Sequence, residues 1–238
     1  MRCHASHFGI IWSTLVITCN SWAQPVATQT AATLAVQVAA QGSDSPSGLV
    51  VVASLSMPDT AAGYSGPRAF ASLTNATGFV SFAGLPFGVY SVCVEPQNQI
   101  FVEPCRWSTP TTTHLTSQSS SGTLSLTVQR GIPVEIRVDD PEGLLSQSST
   151  GHGLLVGVYT PAGPVRLRPA AQDSGGVNYR IIAPPSVAAS IQMSAGGLSI
   201  LDATGTAVNV SSLTSAPSFN LAPTATTQFF RYTLQKNQ

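Results

Sequence analysis

Glycine and proline set the strongest limit on what this chain can become. Its 238 residues include 20 glycines and 17 prolines. Proline removes a backbone donor and glycine raises the entropic cost of order, so long helices are disfavoured and short strands joined by turns are expected. The intervals are rich in Ser, Thr and Val and alternate as half-buried strands do. Leu34, Val36 and Val38 alternate with Ala35 and Gln37, while Leu49 to Leu55, after Gly48, is more uniformly apolar and predicts a central strand. Further strands are expected over 68–74, 79–83, 88–95, 99–103 and 123–129. In the second half the candidates are 132–139, 154–160, 165–168, 177–182, 187–193, 198–201 and 229–234. Helix competes over 187–195, where Val187 and Ile191 are four apart, but Pro184-Pro185 and Gly196-Gly197 leave too little length for one.

With 43% hydrophobic residues the chain can bury a core. Ten basic against ten acidic residues give no net charge, which argues against a nucleic-acid binder needing a basic stripe. No run of like charge forms an electrostatic membrane anchor.

The first residues read as an export signal. Arg2 precedes an apolar run from Phe8 to Ile17, and Ser21-Trp22-Ala23 places small residues three and one before a cut between Ala23 and Gln24. The run is too short to cross about 30 Å of hydrocarbon. A rival reading takes Val16-Ile17-Thr18-Cys19 as a lipidation box, although Thr18 is bulkier than the residue such a site places before its Cys. Nothing after residue 24 is apolar for long enough to span a bilayer. The expectation is a secreted, periplasmic or cell-surface protein with no transmembrane anchor in the mature chain. Cys3 and Cys19 leave with the signal, so Cys93 and Cys105 remain as a pair in an oxidising compartment. A disulfide closing that short loop contributes about 3 kcal/mol; two buried free thiols are the alternative.

Asn75-Ala76-Thr77-Gly78 and Gly84-Leu85-Pro86-Phe87-Gly88 are strong turn signals. In the strand that follows, Tyr90, Val92 and Val94 share one face and Val89, Ser91 and Cys93 the other, so Cys93 is free to meet a loop folding back from Cys105. Gly78, Phe79, Phe82, Gly84, Leu85, Pro86, Gly88, Tyr90, Val92 and Val94 together resemble the signature of the carboxypeptidase regulatory-like domain, a transthyretin-like β-sandwich. The resemblance covers about residues 31–129 and implies an accessory, non-catalytic fold. The usual opening of that module is replaced here by Gly42-Ser43-Asp44-Ser45-Pro46-Ser47-Gly48. Residues 130–238 are expected to form a second sandwich, prealbumin-like or Ig-like. Tyr179, Ile182, Ala183 and Pro185 fall about where Phe79, Phe82, Ala83 and Pro86 do, one hundred residues earlier, and Ile191 and Met193 follow as Val92 and Val94 do. The expected fold is therefore all-β, with two tandem sandwich modules.

No catalytic apparatus is visible. His114 follows a threonine run in an expected loop, His152 sits between two glycines, and neither carries the Glu spacing of a zinc peptidase. No Gly-x-Ser-x-Gly elbow, phosphate loop or dinucleotide fingerprint appears, so no cofactor is expected. Asp139-Asp140-Pro141-Glu142 is the densest acidic group. It lacks the spacing of a calcium loop and reads as a solvated turn at a module boundary. Asn75-Ala76-Thr77 and Asn209-Val210-Ser211 fit the glycosylation triplet. The candidate ligand contacts are Arg106 and Trp107, immediately after Cys105, with Phe87 and Phe101 nearby. Trp107 stacked on a sugar is one reading; Trp107 covering the disulfide and closing the sandwich edge is the favoured one. The partners these residues suggest are a glycan or another surface protein.

Overall fold

The computed structural model describes residues 31–59, 64–97, 100–146, 153–208, 217–222 and 226–237. The export signal with its cleavage site at Ala23 and Gln24, His152, and the triplet at Asn209 lie outside them. The fold is all-β, in two tandem sandwiches.

The first sandwich is built from β1 (Ala32–Ala40), β2 (Val50–Pro58), β3 (Ala69–Leu73), β4 (Phe79–Leu85), β5 (Gly88–Glu95), β6 (Thr111–Leu115) and β7 (Ser121–Val128). One sheet has the order β4-β1-β7 and the facing sheet β3-β2-β5-β6. Leu34, Val36 and Val38 of β1 pack against Val51, Ala53, Tyr90, Val92 and Val94 of the opposite sheet in one core. The second sandwich contains β8 (Ile132–Asp139), β9 (Leu154–Thr160), β10 (Gly163–Arg166), β11 (Pro169–Asp173), β12 (Gly176–Ala183), β13 (Ala188–Ala195), β14 (Leu198–Leu201), β15 (Ser218–Asn220) and β16 (Gln228–Lys236). Its sheets run β11-β12-β8-β16-β14 and β10-β9-β13-β15.

The two sandwiches share one topology. β8 pairs antiparallel with β12 and parallel with β16, as β1 does with β4 and β7. β9 pairs with β10 and β13, and β13 with β15, as β2 pairs with β3 and β5, and β5 with β6. β11 and β14 are additions at the two edges of the larger sheet. Register refines the echo seen in the sequence. Val36 faces Val80 and Leu34 faces Phe82; Ile136 faces Tyr179 and Val134 faces Ile181. Tyr179 thus answers to Val80 and Ile181 to Phe82, one residue off the alignment that set Tyr179 against Phe79 and Ile182 against Phe82. A period-two pattern tolerates no such slip, because one residue moves every side chain to the other face.

A glycine before β4 and another opening β12 do the same job. Gly78 (φ 80°) and Gly176 (φ 152°) have left-handed backbones, and a Cβ on either would collide with a carbonyl oxygen, that of Val38 or of Val138. Asn75 completes the first turn, its Oδ1 accepting from the backbone N–H groups of Thr77 and Phe79 at 2.9 Å each.

Expectations change for three segments. Residues 100–103 make only an isolated bridge, Phe101 to Arg130, and then a single helical turn, α1 (Pro104–Trp107). Residues 111–115 are a strand, not a loop: β6 adds to β5, and His114 on it bonds Asp59 through Nε2 at 2.8 Å. Asp140 is no solvated turn, because it is buried and accepts from the N–H groups of Leu144 and Leu145 at 2.7 and 2.8 Å. It lies inside the second sandwich, between β8 and β9. Over 187–195 the strand expectation holds as β13.

Arg137 of β8 ties the outer face of the larger sheet, donating to Asp173 at 2.8 Å from two nitrogens and to Asp139 at 3.0 Å, while Arg231 of β16 donates to the other oxygen of Asp139 at 2.5 Å. The Arg137 hydrogen bonds, helped by the N–H of Gly175, bring the Asp173 carboxyl down to about 2. Partial burial pushes Asp139 up, but bonds from Arg231 and Arg137 outweigh it and hold this carboxyl below its usual range.

Two outcomes follow from this arrangement. Gly78→Ala is expected to destabilise by about 1–2 kcal/mol from the left-handed backbone alone, with the Val38 collision added; a urea midpoint unmoved by the change would contradict it. Carboxyls lowered in the folded state contribute fully above their unfolded value of about 4 and lose that contribution as the pH falls through the folded value. The urea midpoint of the native protein is therefore expected to drop between about pH 4 and pH 2, and to drop less in Arg137→Gln. Equal slopes in the two proteins would contradict the assignment.

Candidate functional site at the module junction

The site is built by the segment that leaves β5. Cys93, two residues before the end of that strand, faces away from the core and bonds Cys105 with a Cα–Cα distance of 5.8 Å. Its partner sits in α1, whose first position is Pro104, where the missing N–H costs nothing. Ser108 ends the turn by donating from N and Oγ to the Pro104 carbonyl at 2.8 and 3.0 Å. Glu103 and Arg106 pair across it at 2.7 Å. Burial pushes the Glu103 carboxyl up and the Arg106 charge pulls it back, with burial prevailing.

This turn does not fold back over the disulfide. It projects into the second sandwich. Trp107 is 6% exposed and belongs to the core formed with Val134, Ile136, Tyr179, Ile182 and Ile191. Its Nε1 donates to the Ile182 carbonyl at 3.0 Å, and Thr160 Oγ1 donates to the Arg106 carbonyl at 2.6 Å. Trp107 is thus buried, as its size suggests, but in the core of the neighbouring module rather than at the edge of its own. The neighbouring residues divide in the same way: Phe101 is buried in the first core and Val102 in the second. The segment also lies alongside the connector, with Val102 N–H donating to Gln129 at 2.9 Å and Gly131 N–H to Ile100 at 3.0 Å. Arg130 closes the junction by a two-pronged contact to Asp44 at 2.6 and 2.7 Å. Those hydrogen bonds hold the Asp44 carboxyl below its ordinary range.

Three of the four expected contact residues, Phe101, Arg106 and Trp107, line one cleft of about 400 Å³ between the modules. Phe87 does not; it packs beside the first core in the turn before β5. The first-module wall also carries Glu95, Gln97 and Glu103, and the second-module wall carries Arg168, Arg180 and Ile182. Arg168 and Arg180 had no sequence signal, since isolated arginines on exposed positions look like ordinary solubilising charge. The indole and phenyl rings form the closed floor of the cleft and offer little face for stacking. A shallower depression of about 430 Å³ lies over Gly157 on the outer face of β9. Arg166 is the one charged side chain on its walls.

No family model matches the chain, and no curated protein matches it. Among solved structures, the Streptococcal ancillary pilin aligns with 89% of this chain and 64% of its own at 14% identity, with a TM-score of 0.37. The Bacillus anthracis TIE protein aligns with 87% of this chain at 11% identity and a TM-score of 0.32. The minor pilin GBS52 of Streptococcus agalactiae gives 87%, 10% and 0.33. The chain spans 34% of the TIE protein and 41% of the group B streptococcus pilus 2b backbone protein, another match. Likeness of this order assigns neither topology nor role.

Trp107→Ala is expected to cost about 3–5 kcal/mol, and the loss is expected in the wrong module by sequence. Amide exchange should accelerate in β8, β12 and β13 while β1, β2 and β5 keep their protection. Reduction of the disulfide should loosen the same second-module strands to a smaller degree. Faster exchange confined to the first sandwich would contradict the assignment of Trp107 to the second core.

Proposed function

We propose that the chain is an exported, non-catalytic β-sandwich protein whose two modules act as one binding or structural unit at a cell surface or in the periplasm. The observation that carries this reading is the disulfide-bearing segment of one sandwich built into the core of the next. Such a joint resists relative motion of the modules, which suits a scaffold or an adhesive surface better than an enzyme that must open and close. The Cys93–Cys105 disulfide fits an extracellular setting. No helix among the described residues is long and apolar enough to cross a membrane.

The units in this reading are residues 31–129 and 130–238, after a signal ending at Ala23. The first is read as a carboxypeptidase regulatory-like module. That finer reading is supported by how its signature residues work together: Tyr90 is fully buried, and its hydroxyl donates to the Pro86 carbonyl at 2.6 Å. Gly84 and Gly88 supply the positive φ angles on either side of the Leu-Pro-Phe turn. Burial pushes the Tyr90 hydroxyl up to about 12, keeping it a neutral donor.

Export is tested in the native host by cell fractionation, protease shaving of intact cells and N-terminal sequencing. The product is expected outside the cytoplasm, beginning at Gln24 with Cys93 and Cys105 oxidised. A cytoplasmic protein retaining residues 1–23 and free thiols would overturn the reading.

A further inference from the structure

Two arginines, Arg168 and Arg180, line the junction cleft, and neither is held in an ion pair among the described residues. The β11–β12 ladder pairs Pro169 with Tyr179, which brings Arg168 alongside Arg180. Among the described residues no carboxylate oxygen lies within 4 Å of either guanidinium. Glu135 stands opposite Arg180 on β8 and is not engaged. Every other arginine of the outer sheet faces and junction that meets an acidic neighbour uses it: Arg106 with Glu103, Arg130 with Asp44, Arg137 with Asp139 and Asp173, and Arg231 with Asp139. Like charges side by side across a ladder are destabilising; Glu135 offsets Arg180 from the β8 side, and an anion between the two arginines would offset both. Both line the cleft, whose volume lies within the range of small-molecule sites.

The geometry points to a binding site for a small organic monocarboxylate, its carboxylate held between Arg168 and Arg180. Guanidinium groups suit this chemistry because their planar forks match both carboxylate oxygens. The facing wall selects the remainder of the ligand. Glu95 and Gln97 carry side-chain oxygens able to accept hydrogen bonds on that wall, so hydroxyl or ammonium donors at the far end are favoured, while Glu95 repels a second carboxylate. The closed aromatic floor leaves recognition to these polar groups rather than to ring stacking. Carboxylate binding gives the proposed binding role its ligand class and rests on that role only for its setting. A purified protein that did not bind would leave export standing, and a cytoplasmic protein would leave binding standing.

The test is isothermal titration and thermal unfolding of the full chain with sodium galacturonate, at ionic strength held constant with sodium chloride. Galactose supplies the same ring without the charge, and glutarate supplies a second carboxylate. Saturable binding of galacturonate is expected, with galactose at least tenfold weaker and glutarate weaker than galacturonate. Arg168→Gln is expected to lower galacturonate affinity at least tenfold and, without ligand, to leave the unfolding midpoint unchanged or raised, since Arg168 is in no ion pair among the described residues. Arg166→Gln, on β10 of the facing sheet and outside the cleft, should bind as the native protein does. Equal response to galactose, undiminished binding in Arg168→Gln, or no binding of galacturonate by a folded protein would each overturn the site.

Discussion

Trp107 is made in one sandwich and buried in the other. Most of the junction follows from that fact. An indole of this size contributes several kcal/mol when removed from water, and its N–H must find an acceptor inside. The Ile182 carbonyl supplies one at 3.0 Å. To reach it, the chain must leave β5, turn sharply and point away from its own core. The disulfide makes that turn repeatable, because Cys93 anchors the segment to the outer face of β5 two residues before the departure. Reduction leaves the indole its pocket but releases the arm that delivers it.

The shared topology explains why the second core accepts this insertion. With Ile191 and Met193 set against Val92 and Val94, Tyr90 of the first core answers to Ala189 of the second. The first sandwich fills that layer with a large ring on its own β5, while the second carries a methyl there and receives its large indole from the preceding module. The ladders that pair β1, β4 and β7 recur in β8, β12 and β16, and each sandwich has a positive-φ glycine at the entry to β4 or β12. Inside the cores, one difference is the side-chain volume this strand supplies, and the disulfide segment is the element that supplies more. Each module therefore keeps its own backbone plan while the cores are interdependent.

Joining the modules in this way also creates the cleft. Its floor is the set of residues that lock the joint, so it is rigid, and its walls belong to different modules. Glu95, Gln97 and the Glu103–Arg106 pair stand on one wall, and Arg168 and Arg180, in no ion pair among the described residues, on the other. Glu95 on one wall and Arg168 on the other belong to different modules and form no ion pair, and that separation gives the cleft its polarity.

The sequence by itself determined the strands whose side chains alternate, the turns at Asn75–Gly78 and Gly84–Gly88, and the pairing of Cys93 with Cys105. These are local properties: period two, the φ freedom of glycine, and the parity that turns Cys93 away from Tyr90. It under-read β6, because Thr111-Thr112-Thr113-His114 has no alternation and buries only Leu115; that strand exists because β5 offers a free edge. It missed β11 and β15 for the same reason, one being wholly exposed and the other three residues long. Tertiary structure alone decided which core takes Trp107 and that Arg168 stands beside Arg180. The acceptor for the indole lies seventy-five residues away along the chain, and the two arginines become neighbours only when β11 folds onto β12. No local pattern encodes a partner at that distance, because the free energy that selects it comes from burial completed after both sandwiches have formed.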